Sequence, residues 1–194
     1  MGGGRPPKRE QMDDGPYRRF GSREIYRNPW VAIQIHEIAH PTGEPGEHVV
    51  VAVPPASAVL VEDARGGLVF ASQPRFAAGR ECIEIVKGGR DGVESALECA
   101  RRELREELGL RAAAWVSLGT LYEIPSIVAP AVSLFLAADL EETDRAPEPV
   151  ARVARVRMER SEAFASAASG EIDDAVTIAA LFRYSAVRGF ALNR

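Results

Sequence analysis

Between Ala96 and Leu108 the chain carries Arg102, Glu103, Glu106 and Glu107 within two helical turns. At about 100° per residue, Glu106 and Glu107 fall within about 60° of Glu103 around a helix axis. Carboxylates at i, i+3 and i+4 repel one another, destabilising an isolated helix by roughly tenths of a kcal/mol per pair. A hard divalent cation reverses that sign. Clustered carboxylate oxygens suit Mg²⁺ or Mn²⁺, which also bridge phosphate oxygens. The bland alternative is a solvated acidic face paired with Arg101, Arg102 and Arg105, as most charge runs are.

These side chains need a helix with a defined start and stop. Ser95 followed by Glu98 has capping-box spacing, and Gly109 stands where a helix over Ala96–Leu108 would end. Leu97, Ala100, Leu104 and Leu108 form an adjoining apolar arc that can face a core. Alternation and turn clusters predict strands over Val31–Ile35, Val49–Val53, Ala58–Val61, Leu68–Ala71 and Ile83–Val86 before that helix. Further strands are predicted over Trp115–Tyr122, Val132–Ala138 and Val153–Met158, with closing helices over Ser161–Ser169 and Asp173–Tyr184. The order describes a mixed α/β sandwich. Residues 1–19, rich in Gly, Pro and mixed charge, read as a disordered tail. Residues 20–55 read as an N-terminal antiparallel β segment and 56–194 as the catalytic domain.

At 194 residues, 46% hydrophobic and 27% charged, the chain has an ordinary globular composition. A net charge of −4 argues against a nucleic-acid partner held by a broad basic surface. No apolar run reaches the roughly 20 residues of a membrane span, and the start lacks the apolar core of a secretory signal. Cys82 and Cys99 are too few for a disulfide framework, and Cys99 reads as a buried helix residue. The cytoplasm is the expected location.

The spacing of the acidic helix is more specific than a charge run. Gly88, five residues, Glu94 and seven residues lead into Arg102-Glu103-Leu104-Arg105-Glu106-Glu107-Leu108-Gly109-Leu110. This matches every specified position of the Nudix box, and the chain resembles the Nudix hydrolases. A chance match anywhere in the chain is on the order of one in ten million from average residue usage. The resemblance implies a Nudix-type α/β/α sandwich that hydrolyses a nucleotide diphosphate linkage with Mg²⁺ or Mn²⁺. It also implies Glu103 and Glu107 as metal ligands, with Glu106 a ligand or close partner. Arg102 would orient these carboxylates and Glu94 would brace the loop before the helix. In the ADP-ribose pyrophosphatase branch the carbonyl before the box glycine, here that of Lys87, also binds metal.

Several residues resemble that branch or the broader ADP-compounds hydrolases. Gln73-Pro74-Arg75 followed by Glu84 leads into the box, Pro125 lies sixteen residues after Gly109, and Gly170–Asp174 opens the last helix. Arg75, Glu84 and Pro125 are therefore expected substrate-binding residues. Pro125 is followed by Ser126-Ile127 rather than the Gly and nearby Glu of strict ADP-ribose enzymes, which leaves GDP-mannose hydrolysis as the alternative. Trp30 stands where related enzymes place an adenine-stacking aromatic; its other reading is packing at a sheet edge. The branch takes its general base from the loop after the strand at Val132–Ala138. Glu148, between Pro147 and Pro149, is the expected base, with Glu141 and Glu142 as rivals. Related enzymes use the N-terminal region for subunit contact, which implies a homodimer. A non-catalytic Nudix-fold sensor is a third reading, opposed by the intact box carboxylates.

His36-Glu37-Ile38-Ala39-His40 matches the zinc-protease pattern HExxH. The residues around it alternate as a strand, which sets i and i+4 roughly 13 Å apart. That separation is too great for one zinc ion, whose ligands lie at about 2 Å.

Overall fold

The computed structural model describes residues 12–144 and 152–189. Its elements divide into two compact units, one of the residues up to Pro54 with Ile124–Pro130, the other of Pro55–Glu123 and the residues from Ala131 onward. The sequence reading divides the chain between residues 55 and 56, one residue after this break. The return of Ile124–Pro130 to the first unit was not foreseen.

In the first unit, β1 (Met12–Asp14), β2 (Tyr17–Arg27), β3 (Ala32–Ala39) and β4 (Pro45–Ala52) form an antiparallel sheet in that order. β1 and β2 start inside the stretch 1–19 read as a disordered tail, so from Met12 onward that stretch is strand and turn instead. Two register shifts, at Arg19/Gly21 and Glu24/Tyr26, interrupt the alternation of β2. Each bulge flips the inward-facing parity, which hides the strand from a period-two search. β3 runs through His36, whose cross-strand neighbour is His48. The HExxH stretch is thus strand and turn, not a zinc helix. Ile124–Pro130 lies against β4 through Val51 N–H to Ile127 O at 2.7 Å and Ala129 N–H to Val51 O at 3.1 Å.

The second unit is built on a mixed seven-stranded sheet. Its strands are β5 (Ala56–Glu62), β6 (Leu68–Arg75), β7 (Arg80–Glu84), β8 (Val86–Gly89), β9 (Leu110–Leu121), β10 (Val132–Glu142) and β11 (Ala154–Met158). The central path is β11-β6-β5-β10-β9, with β7 on β6 and β8 on β5. β10 runs parallel to β5, and the other pairings are antiparallel. The sequence predicts one strand over Ile83–Val86, but the chain changes partners at buried Ile85, crossing from the edge of β6 to that of β5. Ile85 N–H donates to Thr177 Oγ1 at 3.0 Å, which satisfies the backbone at the switch.

Helices cover both faces. α1 (Ala96–Leu108) lies on one; α2 (Arg160–Ser169) and α3 (Ala175–Arg188) contribute to the core of the other. In β5, Ala58 and Leu60 point to the α2/α3 side while Val59 and Val61 point to the α1 side, all fully buried. A strand covered on both faces reads as a continuous apolar run. Leu104 and Leu108 bind α1 to Val59, Val61, Val69 and Ala137. No helix among the described residues is long and apolar enough to cross a membrane.

Glu62 ends β5 inside the α2/α3 layer at 7% exposure. Tyr184 donates to it at 2.6 Å, Arg188 binds its other oxygen, and Arg160 stands 3.6 Å away with its guanidinium 5.7 Å over the Tyr184 ring. Burial and the Glu62 charge push the Tyr184 hydroxyl up to about 12. Tyr184→Phe removes one charge-assisted bond but leaves the arginines, so it should cost about 1–2 kcal/mol. Denaturant unfolding should show a lower midpoint at unchanged slope.

Candidate active site

The site is assembled from β8, the loop after it, and α1. Ser95 and Glu98 complete the capping box, with Glu98 N–H donating to Ser95 Oγ at 3.3 Å and Ser95 N–H to Glu98 Oε2 at 2.8 Å. Gly109 closes the helix in the left-handed region at φ 61°, returning its N–H to Arg105 O at 2.8 Å. Buried Ser57 on β5 donates to Ala96 O at 2.7 Å, fixing the helix start to the sheet.

Arg102 holds the pieces together. Its Nε and Nη2 donate to the two Glu94 oxygens at 3.1 and 3.0 Å. Nη1 donates to Glu103 at 2.7 Å and Glu106 at 3.0 Å, while Nη2 also reaches Gly89 O at 2.7 Å. The Glu94 contact raises the Arg102 pKa most, with Glu103 and Glu106 adding to it. Glu94 also accepts from Asp91 N–H at 3.1 Å, so it joins the loop to the helix. Gly88 explains the bare position at the head of the motif: a Cβ there would fall on the Glu103 carboxylate.

Glu107, one turn after Glu103 on the same helix, is not gripped by Arg102. One of its oxygens is buried without a hydrogen-bond partner. Burial first, then the charges of Glu103 and Glu84, push its carboxyl up to about 8 against the opposing pull of Arg75 and the Lys87 N–H. Beside it, Arg75 from β6 grips Glu84 at the end of β7 through two bonds of 2.7 and 2.9 Å. Glu84 is 2% exposed, and a buried carboxylate needs such a bidentate partner.

The Lys87 ammonium contacts Asp174 at 3.2 Å, Glu123 at 3.3 Å and Glu84 at 4.0 Å. Burial works against its charge, but Asp174, Glu123 and Glu84 outweigh that and raise its pKa. Asp174 is the N-cap of α3, accepting from Thr177 N–H at 2.8 Å. Burial opposes its ionisation too, yet Lys87 and Thr177 hold its carboxyl below the usual aspartate range. Sequence reasoning singled out Lys87 for its carbonyl and missed this side-chain network. The capping position of Asp174 was the only available signal.

The structure therefore brings Arg75, Glu84, Lys87, Glu94, Arg102, Glu103, Glu106 and Glu107 into one unit. In this arrangement no three His, Cys, Asp or Glu side chains among the described residues gather tightly enough to hold a metal by themselves. The donor set nonetheless fits a hard divalent cation: it is all oxygen, and the partnerless Glu107 oxygen between two further carboxylates calls for positive charge. Trp30 and Pro125 belong to the first unit. Trp30 is 73% exposed, so it is not packed at a sheet edge. Glu148 lies outside the described residues; of its rivals, Glu142 is paired with Arg155 at 2.6 Å.

Gly88→Ala tests the close approach. The clashing atoms end a flexible side chain, so Glu103 can swing aside at a stability cost below about 1 kcal/mol, typical of substitutions that spare the core. Steady-state kinetics should show kcat falling at least about 100-fold, with the melting temperature moving by only a few degrees.

Residues 52–181 match the NUDIX domain. Over 188 residues the chain is 30% identical to ADP-ribose pyrophosphatase of Mycobacterium tuberculosis (strain ATCC 25618 / H37Rv), covering 94% of this chain and 90% of that protein. It is 29% identical over 91 residues to CMP-5'-(N-acetyl-N-hydroxy-3-aminopropyl)phosphonate hydrolase of Streptomyces rubellomurinus (strain ATCC 31215), covering 47% of this chain and 44% of that enzyme. The crystal structure of an ADP compounds hydrolase superposes with a TM-score of 0.73 at 21% identity, covering 89% of this chain and 96% of that one. With the box intact and its arginine clamp formed, the chain belongs to the Nudix family and is a pyrophosphohydrolase related to ADP-ribose pyrophosphatase.

Proposed function

We propose that the protein hydrolyses ADP-ribose or a closely related ADP compound to AMP and a phosphorylated product, using Mg²⁺ or Mn²⁺, in the cytoplasm. The observation that carries this reading is the buried Glu107 oxygen with no hydrogen-bond partner, set beside Glu103 and Glu84. The relationship to the mycobacterial ADP-ribose pyrophosphatase supports the substrate class.

Glu103, Glu106, Glu107 and the Lys87 carbonyl would hold the cation, which supplies charge neutralisation on the diphosphate. Arg102 keeps Glu103 and Glu106 oriented while uncommitted. The Arg75–Glu84 pair and the Lys87 ammonium set the charge on the other side of Glu107. Arg75 is 40% exposed at its side chain, enough to meet a phosphate without first leaving Glu84.

A substrate screen in Mg²⁺ should rank ADP-ribose first by kcat/KM, ahead of diadenosine polyphosphates, NADH and nucleoside triphosphates. GDP-mannose clearly ahead would overturn the ranking and favour the alternative raised by Ser126-Ile127. Glu107→Gln should lower kcat at least about 100-fold, because a neutral amide binds Mg²⁺ poorly.

The same reading takes the protein as a homodimer. The first unit leaves Ile25, Tyr26 and Val49 of its sheet and Trp30 of the β2–β3 loop exposed, a set of large apolar side chains that marks an interaction surface. Light scattering should give a mass near 42 kDa, twice the 21.0 kDa chain. A monomer at micromolar concentration would reject the pairing.

A further inference from the structure

A second concave site lies on the outer side of α1, facing β9 at the edge of the sheet. Arg101, Arg102, Arg105 and Arg111 line a cavity of about 430 Å³ there, with Trp115 in its wall. Four guanidiniums around one cavity are unexpected in a chain of net charge −4. Guanidinium cannot shed its proton in a protein, so repulsion among them is relieved by carboxylates, by a bound anion or by solvent.

Among the described residues three of the four, Arg101, Arg105 and Arg111, form no ion pair, and only Arg101 feels a nearby carboxylate, that of Glu98. Glu141 is the cross-strand partner of Arg111 yet does not pair with it. Glu98, one turn before Arg101, is committed to the cap of α1. Arg105 Nε is buried without a hydrogen-bond partner. The Arg101 guanidinium is held 5.9 Å over the Trp115 ring, and Trp115 is anchored by its indole N–H on Ala112 O at 2.9 Å and edge-on against Phe135. Stacking of this kind fixes a guanidinium without spending its donors.

We propose that this cavity binds a phosphate group, at a site separate from the carboxylates, and that Arg102 couples the two. Planar guanidinium forks match phosphate oxygens bidentately, and Trp115 is already covered by Arg101, so recognition needs no base. The ligand class is inorganic phosphate or a phosphomonoester. Arg102 lines the cavity while its Nη1 holds Glu103 and Glu106. An anion there competes for the group that orients the catalytic carboxylates. The coupling to turnover rests on the proposed hydrolysis, whereas the binding does not.

The test is calorimetric titration of the full chain with inorganic phosphate, and separately with AMP, in excess chelator so that no cation recruits phosphate to the carboxylates. Wild type should bind phosphate, and Arg105→Gln/Arg111→Gln should weaken binding at least tenfold while keeping the melting temperature and phosphate-free turnover. Glu107→Gln should bind as wild type does. AMP binding more tightly than phosphate, by a margin lost in the double variant, would assign the site to phosphomonoesters; equal affinities would assign it to the phosphate group alone. No binding at millimolar phosphate, or equal binding by the double variant, would overturn the site. In turnover assays phosphate should lower kcat at unchanged KM in wild type and not in the double variant. An unchanged kcat at saturating phosphate would overturn the coupling and leave the binding result standing.

Discussion

The loop before the catalytic helix and two of the helix's carboxylates are held in place by the guanidinium of Arg102. Its donors point in fixed directions within one plane, and five contacts to Glu94, Glu103, Glu106 and Gly89 O use them. That geometry joins the strand before the box, the loop and the helix, three pieces that would otherwise move independently. It also makes an acidic helix tolerable without a cation. A lysine would neutralise the charge but could not hold the same directions at once. Gly88 follows from the same constraint, because Glu103 can reach Arg102 only if nothing projects from the strand beneath it.

Beside this clamp the charges alternate in a graded way. Arg75 neutralises Glu84, and Lys87 is shared among Asp174, Glu123 and Glu84. Glu107 stands between these systems and is fully served by neither, which leaves a carboxylate whose ionisation is costly until positive charge arrives. The cost is supported by packing elsewhere. Leu104 and Leu108 occupy an adjoining arc of the same helix in a fully buried core, and apolar burial of that kind contributes roughly 1.5–3 kcal/mol per side chain. One helix thus carries stabilising burial on one face and functional strain on another.

The partner switch at Ile85 serves the site as well as the fold. By moving from β6 to β5 there, the chain delivers Glu84 and Lys87 from two different strand pairings. Thr177 receives the Ile85 N–H and gives its own to Asp174, which in turn holds Lys87. The entry of α3 is therefore wired to the residue preceding the box glycine.

The catalytic helix was legible in the sequence down to its end residues, because capping box, apolar arc and left-handed glycine are all local signals. So was the α/β/α layering, through the resemblance carried by Gly88, Glu94 and Arg102–Glu107 at their fixed spacing. The strand over Tyr17–Arg27 was not, because bulges in β2 break the period that sequence reading depends on. Nor were the Lys87–Asp174–Glu123 contacts or the arginine cavity, whose members are local in neither spacing nor pattern. Asp174 and Lys87 are 87 residues apart, and Arg111 joins Arg101 and Arg105 only because β9 turns back beside α1. Periodicity and capping act over one or two turns and are written in neighbouring residues. Charge pairing across a sheet depends on which strands meet, and strand order is decided by the packing of the whole unit.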